Sequence, residues 1–232
     1  MRIASFDIGK KNFAFYIEEF EPETLSSLQN INVRNRYNLD QSPTTEMAEL
    51  LRSIYLNGKT ILHKNLDLTK NCDKKLNLDP ETFYNMNDVL DEYSEYWDEC
   101  DIFLVEQQMQ FGKGKRNPMA QKLGQHCYSY FTFKYGRNKK VIEFPAYYKT
   151  QVLGAPKINV GNYKNGNIKW KGMSKPERKK WSVAKAKEIL EERGELDVLQ
   201  GIKTVAKKDD LADTLTQLQA FKFLRFVDKI DF

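Results

Sequence analysis

Histidine and cysteine are scarce in this 232-residue chain. The two histidines, His63 and His126, are too few for a histidine-rich metal centre. Cys72, Cys100 and Cys127 are odd in number and far apart. They make no zinc motif and point to a reducing, intracellular compartment. No apolar run is long enough to cross a bilayer, so no membrane partner is expected. Residues 2–8 read as a strand that begins at once, so no signal peptide is expected ahead of it. No internal repeat is evident. The length suits one domain, or one domain with insertions, and is enough to bury a full core. A formal net charge of +5 permits a polyanionic partner without requiring one.

The patterning is that of a mixed α/β chain. After the first strand, residues 9–12 read as a tight turn, and the alternation of Phe13, Phe15 and Ile17 gives a second strand and an antiparallel hairpin. Residues 31–39 read as a strand. Ser42-Pro43 with Glu46 reads as a helix start, followed by Met47, Leu50, Leu51 and Ile54 at helical spacing. Residues 59–69 return to the sheet, and 71–80 form a polar linker. Helical spacing resumes with Phe83, Met86, Leu90, Tyr93 and Trp97. Residues 101–106 are a short apolar run ending in an acid, as in a buried parallel strand. Asn117-Pro118 reads as an N-cap with proline at the first helical position. Residues 141–144 form another strand stopped by Pro145, a Gly/Asn/Lys loop follows, and helices cover about 175–193 and 209–227. A hairpin followed by strands alternating with helices predicts a mixed sheet flanked by helices.

Four carboxylates fall where such a fold can gather them. Asp7 ends the first strand beside Gly9, whose missing side chain allows close backbone approach. Glu106 ends a buried strand, the place where open α/β sheets put ligands. Asp210 and Asp213 are three apart and share a helical face, opposite the Leu211, Leu215, Leu218 stripe. Asp209 reads as the cap of that helix. Four hard oxygen donors suit two Mg²⁺ ions, and two such ions can activate water and stabilise the leaving oxygen of a phosphodiester. Taken singly, each acid also has an ordinary explanation as a turn, strand-end or capping residue.

In order along the chain, several pieces resemble the RuvC-type Holliday junction resolvases of the RNase H-like superfamily, nearest to the branch in poxviruses and other large DNA viruses. They are Asp7-Ile8-Gly9 with Asn12, Val105-Glu106-Gln107-Gln108, Asn117-Pro118 leading to Lys122-Leu123-Gly124-Gln125, Pro145 with Lys149, and Asp210-Leu211-Ala212-Asp213. The resemblance implies one RNase H-like domain over 1–232, with a five-stranded mixed sheet and insertions near 21–58 and 155–174. It implies metal-binding acids at Asp7, Glu106, Asp210 and Asp213, and catalytic lysines at Lys149 and Lys180. It further implies two Mg²⁺ per active site, with Mn²⁺ able to substitute, and a homodimer cutting four-way and other branched DNA. The work would lie at a site of DNA replication, a viral factory or nucleus if the source is viral. The chain departs from the bacterial pattern in having Met109 where an aromatic is expected, three residues past the glutamate; the nearest aromatic is Phe111.

Two basic segments are candidates for DNA contact. Phe111, Lys113, Lys115 and Arg116 follow the strand that carries Glu106, among flexible glycines. Residues 155–180, with Lys175 and Lys179 as DNA-binding candidates, contain Glu177 as their single acid, and Tyr163 and Trp170 interleave the lysines. The helix at 117–135 is the candidate dimer interface, because Met119, Leu123, Cys127, Tyr130, Phe131 and Phe133 make a broad apolar surface. Three other readings compete. One is another RNase H-like nuclease. One is a sugar kinase or actin-like ATPase, which needs a Gly/Ser/Thr-rich phosphate turn where this chain has Lys10-Lys11-Asn12. The last is a catalytically dead DNA-binding relative.

Overall fold

The computed structural model describes residues 1–73, 75–76, 79–108 and 117–232. Its centre is a five-stranded sheet of β1 (Arg2–Asp7), β2 (Phe13–Glu19), β3 (Lys59–Leu66), β4 (Ile102–Gln107) and β5 (Lys140–Pro145), in the order β3-β2-β1-β4-β5. β2 runs antiparallel to β1 and β3, whereas β4 and β5 run parallel to β1. The expected N-terminal hairpin and mixed sheet are therefore present. Gly9 makes the hairpin turn possible, since a Cβ there would lie 2.9 Å from the Asn12 carbonyl oxygen.

Period-two alternation sorts the strand residues onto two cores. Phe103 and Val105 of β4, with Ala4 and Phe6 of β1, face α3 (Glu81–Glu92), α4 (Ser94–Asp98) and α5 (Pro118–Tyr135). Ile102 and Leu104, with Ile3, face the opposite layer. That layer holds α2 (Thr45–Leu56), α6 (Tyr147–Val152), α7 (Lys175–Arg193), α8 (Leu196–Thr204) and α9 (Lys208–Lys222). A short α1 (Pro22–Ser27) also adds Leu25 to this core.

Helix α9 is the axis of its layer. From Leu211 to Lys222 every residue but Asp213 is buried, so its polar side does not face water as the leucine stripe alone suggests. Polar contacts fix its register instead. Gln217 Nε2 donates to Ser5 Oγ at 3.0 Å. Gln219 Nε2 and Lys222 Nζ donate to the two carboxylate oxygens of buried Glu18 at 2.7 and 2.6 Å. Arg193 of α7 joins the same carboxylate at 2.9 Å. Lys222 also donates to the carbonyls of Ile54 and Asn57, closing α2 onto the group.

Several local expectations change. Residues 31–39 are not a strand: Asn32 caps a 3-10 turn at Val33–Asn35, and the guanidinium of Arg36 is drawn inward to Asp228. The Gly/Asn/Lys loop contains a two-stranded ribbon, β6 (Ile158–Asn162) and β7 (Ile168–Lys171). Helices α1, α6 and α8 are additions to the sequence reading, and the last helix ends in a π-helical turn at Phe223–Val227. The cap of α9 is Lys207, not Asp209. Asn117 does cap α5, accepting from the Ala120 N–H at 3.3 Å. The apolar face of α5, however, belongs mostly to the monomer's own core: Leu123, Cys127 and Phe131 are fully buried, and Phe131 stacks on Phe103 at 4.0 Å. Tyr130 donates to Asp91, which leaves Phe133, 89% exposed, as the apolar side chain on the outer face.

Candidate active site

Pairing register brings the first two acids together. Phe6 stands opposite Val105 in the parallel β1–β4 ladder, so Asp7 and Glu106 follow side by side at the carboxyl ends of their strands. Asp7 continues the Ile3 and Ser5 face, and Glu106 continues the Ile102 and Leu104 face, so both project toward α9. From α9, Asp213 reaches the same place. The polypeptide leaving β5 turns into α6, which delivers Lys149. Its ammonium lies 3.3 Å from Glu106 Oε1 and 3.0 Å from Asp213 Oδ2.

The electrostatics follow from crowding like charges in a poorly hydrated corner. Burial pushes the Asp7 pKa well up, and the neighbouring Glu106 pushes it further. A hydrogen bond between the two carboxyl groups adds to the rise at Asp7. Burial works against the charge of Glu106 as well, but Lys149 and the bond from Asp7 hold its pKa below the usual value. Lys149 is buried too, yet Glu106, Asp213 and Asp7 together raise its pKa above that of an ordinary lysine, so it stays charged.

Asp210 stands one turn before Asp213, at the rim. Burial, and then Asp209, raise its pKa to about 6. Its Oδ2 is buried with no hydrogen-bond partner. Asp209 is ion-paired to Lys179 of α7 rather than capping the helix. The charge of Lys179 also acts on Asp210 and Asp213. Lys180 is exposed and its charge is felt by Glu177, so Lys179 holds the place beside the acids that sequence reasoning gave to Lys180. Lys175, the first residue of α7, lies near enough to favour the ionised form of Glu106. Phe111, Lys113, Lys115 and Arg116 lie outside the described residues.

A second layer of polar groups was not anticipated. Ser182 of α7 is buried and donates to Asp213 Oδ1 at 2.7 Å, leaving Oδ2 to face Lys149. Thr216 Oγ1 lies 3.2 Å from the Ser182 hydroxyl. On the other side His63 Nε2 donates to the Leu211 carbonyl at 3.0 Å, bracing α9 between the two acids. Only Gln217, which ties α9 to Ser5, carries a sequence signal, because it follows Asp213 by four residues on the same helical face. Ser182 and His63 carry no such signal.

Among the described residues, no three histidine, cysteine, aspartate or glutamate side chains converge as ligands of one ion. The ammonium of Lys149 lies where such convergence would occur. The donor chemistry nevertheless suits a hard divalent cation. Asp7 and Glu106 are crowded side by side in a buried corner where a cation would relieve their repulsion, and Asp210 offers a buried oxygen lacking a partner.

No family model matches the chain. It is 35% identical over 235 residues to "Uncharacterized protein 170L" of Invertebrate iridescent virus 6, spanning 98% of this chain and 91% of that one. To "Uncharacterized protein 97L" of Invertebrate iridescent virus 3 it is 32% identical over 232 residues, spanning 95% and 98%. Three solved structures share the fold over nearly their whole length. The Fowlpox virus resolvase in complex with substrate Holliday junction DNA matches with a TM-score of 0.54 and 19% identity over 96% of this chain and 97% of that chain. The Fowlpox virus Holliday junction resolvase gives 0.50 and 17% over 96% and 98%. Thermus thermophilus RuvC gives 0.51 and 12% over 98% and 97%. The chain therefore belongs to the family of the iridescent-virus proteins 170L and 97L, and its fold is that of the poxvirus Holliday junction resolvases and RuvC.

Proposed function

We propose that this protein is a structure-selective endonuclease that cuts phosphodiesters at four-way and other branched DNA junctions. The observation that carries the reading is the meeting of Asp7, Glu106 and Asp213 around Lys149 at the carboxyl edge of the sheet. The fold shared with the Fowlpox virus resolvase, whose structure holds substrate Holliday junction DNA, supports it.

Asp7, Glu106, Asp210 and Asp213 would hold two Mg²⁺ ions, with Mn²⁺ as a substitute, and these would supply Lewis-acid polarisation of the phosphate and its attacking water. The chain's own groups do the rest. Asp7 and Glu106, side by side at the ends of their strands, would present their carboxylates as a pair of ligands. Ser182 holds the Asp213 carboxylate in one orientation, so that it need not reorganise during reaction. Lys149, fixed and charged, stands where it can offset negative charge building on the scissile phosphate. Lys179 holds Asp209 beside Asp210 and takes the second basic role. Lys175, with Lys113, Lys115 and Arg116, would supply cations for the flanking phosphates, and Phe111 an aromatic ring for a base.

Resolving a junction takes two cuts at symmetry-related phosphates, and one chain carries one set of acids. The proposal therefore includes a two-fold homodimer. A single domain with insertions near 21–58 and 155–174, acting where viral DNA is replicated, completes it. No helix among the described residues is long and apolar enough to cross a membrane.

A direct test offers a synthetic four-way junction, a linear duplex and an RNA–DNA hybrid with Mg²⁺. The junction should be cut in preference to both. Cleavage of the hybrid alone would assign RNase H-type chemistry instead. No cleavage of any substrate, with junction binding intact, would leave a DNA-binding protein.

A further inference from the structure

Between α6 and α7 the chain forms the β6–β7 ribbon, whose strands pair with each other and not with the central sheet. Ile158, Val160, Tyr163 and Ile168 are all exposed on it. A lone two-stranded ribbon is marginally stable in water, and apolar side chains on it favour a covered state. Charge says what covers it. Residues 144–176 contain no acid, and the ribbon and its base carry Lys157, Lys164, Lys169 and Lys171. A second copy of the ribbon would set these cations against one another. A neutral apolar partner would leave them without counter-charge. A polyanion satisfies both features, with phosphates for the lysines and sugar or base edges for the apolar side chains.

The ribbon is rooted at the candidate active site at both ends. Ahead of it, α6 places Lys149 among the acids, and the Lys157 N–H donates to the Asp40 carbonyl at 2.5 Å. Behind it, α7 starts with Lys175, within electrostatic reach of Glu106. The major groove of duplex DNA is wide enough to admit a two-stranded β-ribbon. We infer that the β6–β7 ribbon lies in the groove of a duplex arm leaving the cut site, with Lys157, Lys164, Lys169 and Lys171 on its phosphates. A five-residue strand such as β6 spans about 17 Å, roughly half a helical turn of duplex. The inference rests on the nuclease reading and adds a contact outside the carboxylate cluster.

The test measures junction affinity of the full chain by fluorescence anisotropy, in EDTA, across a salt series. One variant replaces the four ribbon lysines by alanine. A charge-matched control replaces Lys59, Lys140, Lys203 and Lys229, all elsewhere on the surface. Each lost phosphate contact lowers the slope of log affinity against log salt by about 0.9, so the ribbon variant should lose about three to four units of slope. Its affinity near 0.1 M salt should fall at least tenfold, and the control should change slope by less than about one. If the alanine variant does not fold, as judged by its thermal midpoint, a short Gly/Ser linker in place of residues 158–171 should give the same loss. Equal losses in ribbon variant and control, or an unchanged slope in a ribbon variant while the wild type binds and cuts the junction, overturn the ribbon contact alone. A wild type that binds no junction overturns both this inference and the nuclease reading.

Discussion

Replacing Glu18 by glutamine takes one negative charge from the interior while keeping the side chain's shape. In the wild type the carboxylate faces two buried cations, Lys222 at 2.6 Å and Arg193 at 2.9 Å, and accepts from Tyr16 Oη at 2.7 Å. The side chains of Glu18 and Lys222 are 0% exposed and that of Arg193 is 2% exposed, so water cannot substitute. Breaking a buried ion pair by neutralising one partner costs about 3–5 kcal/mol. Linkage gives a second estimate. Burial opposes the Glu18 charge, but Arg193 and then Lys222 outweigh it and hold its pKa at about 2, against 4.5 for a free glutamate. That depression is worth about 3 kcal/mol, present above pH 4.5 and lost as pH falls through about 2. Burial of Lys222, whose pKa is lowered to about 8 despite Glu18, offsets part of that gain, so the cost of stranding the two cations is the figure carried forward. With a urea m-value of about 2–3 kcal/mol/M, Glu18→Gln should lower the unfolding midpoint by roughly 1–2 M, read by circular dichroism at pH 7. Adding Lys222→Met should recover part of the loss by removing one stranded cation. A midpoint shift below about 0.3 M would refute the reasoning, because it would mean that water or an alternative acceptor already serves Arg193 and Lys222.

Other expectations follow from the same geometry. His63 is buried and its pKa is lowered to about 4, so it is neutral when folded and charged when unfolded between pH 6.5 and 4. Stability should be full above pH 6.5 and decline by on the order of 3 kcal/mol toward pH 4, and His63→Gln should flatten that slope in a pH series of urea titrations. Lys149→Ala should slow junction cleavage by about 10²-fold or more at saturating enzyme while changing junction affinity little; equal losses in both would make it an ordinary phosphate contact. Lys179→Ala should reduce the cleavage rate more than Lys180→Ala does, and the reverse order would restore the assignment made from sequence. In sedimentation at micromolar concentration the protein should be a dimer. Phe133→Asp should weaken that dimer if α5 is the interface, whereas Phe131→Asp should unfold the chain, because its ring is buried against Phe103.

Much of the fold was written in local pattern. The alternation in β1, β2 and β4, the proline and asparagine opening α5, and the helical spacing of α3 and α7 each depend on neighbours a few residues away. The placement of Asp7 and Glu106 at strand ends was legible for the same reason, since each closes an apolar run. Local pattern misled where a distant partner decides the outcome. Residues 31–39 look like a strand until Asp228 draws Arg36 inward. Phe131 looks like an interface residue until Phe103 covers it. Lys179 and Lys180 are equivalent in sequence, and only the packing of α7 against α9 separates them by one helical step of about 100°. Sequence alone therefore determined which residue types were available and on which elements they sit. The tertiary structure decided which of them meet, because the contacts Lys149–Asp213, Ser182–Asp213 and Glu18–Lys222 join residues far apart in the chain, and their closeness depends on the sheet register and on the buried ties that hold α9.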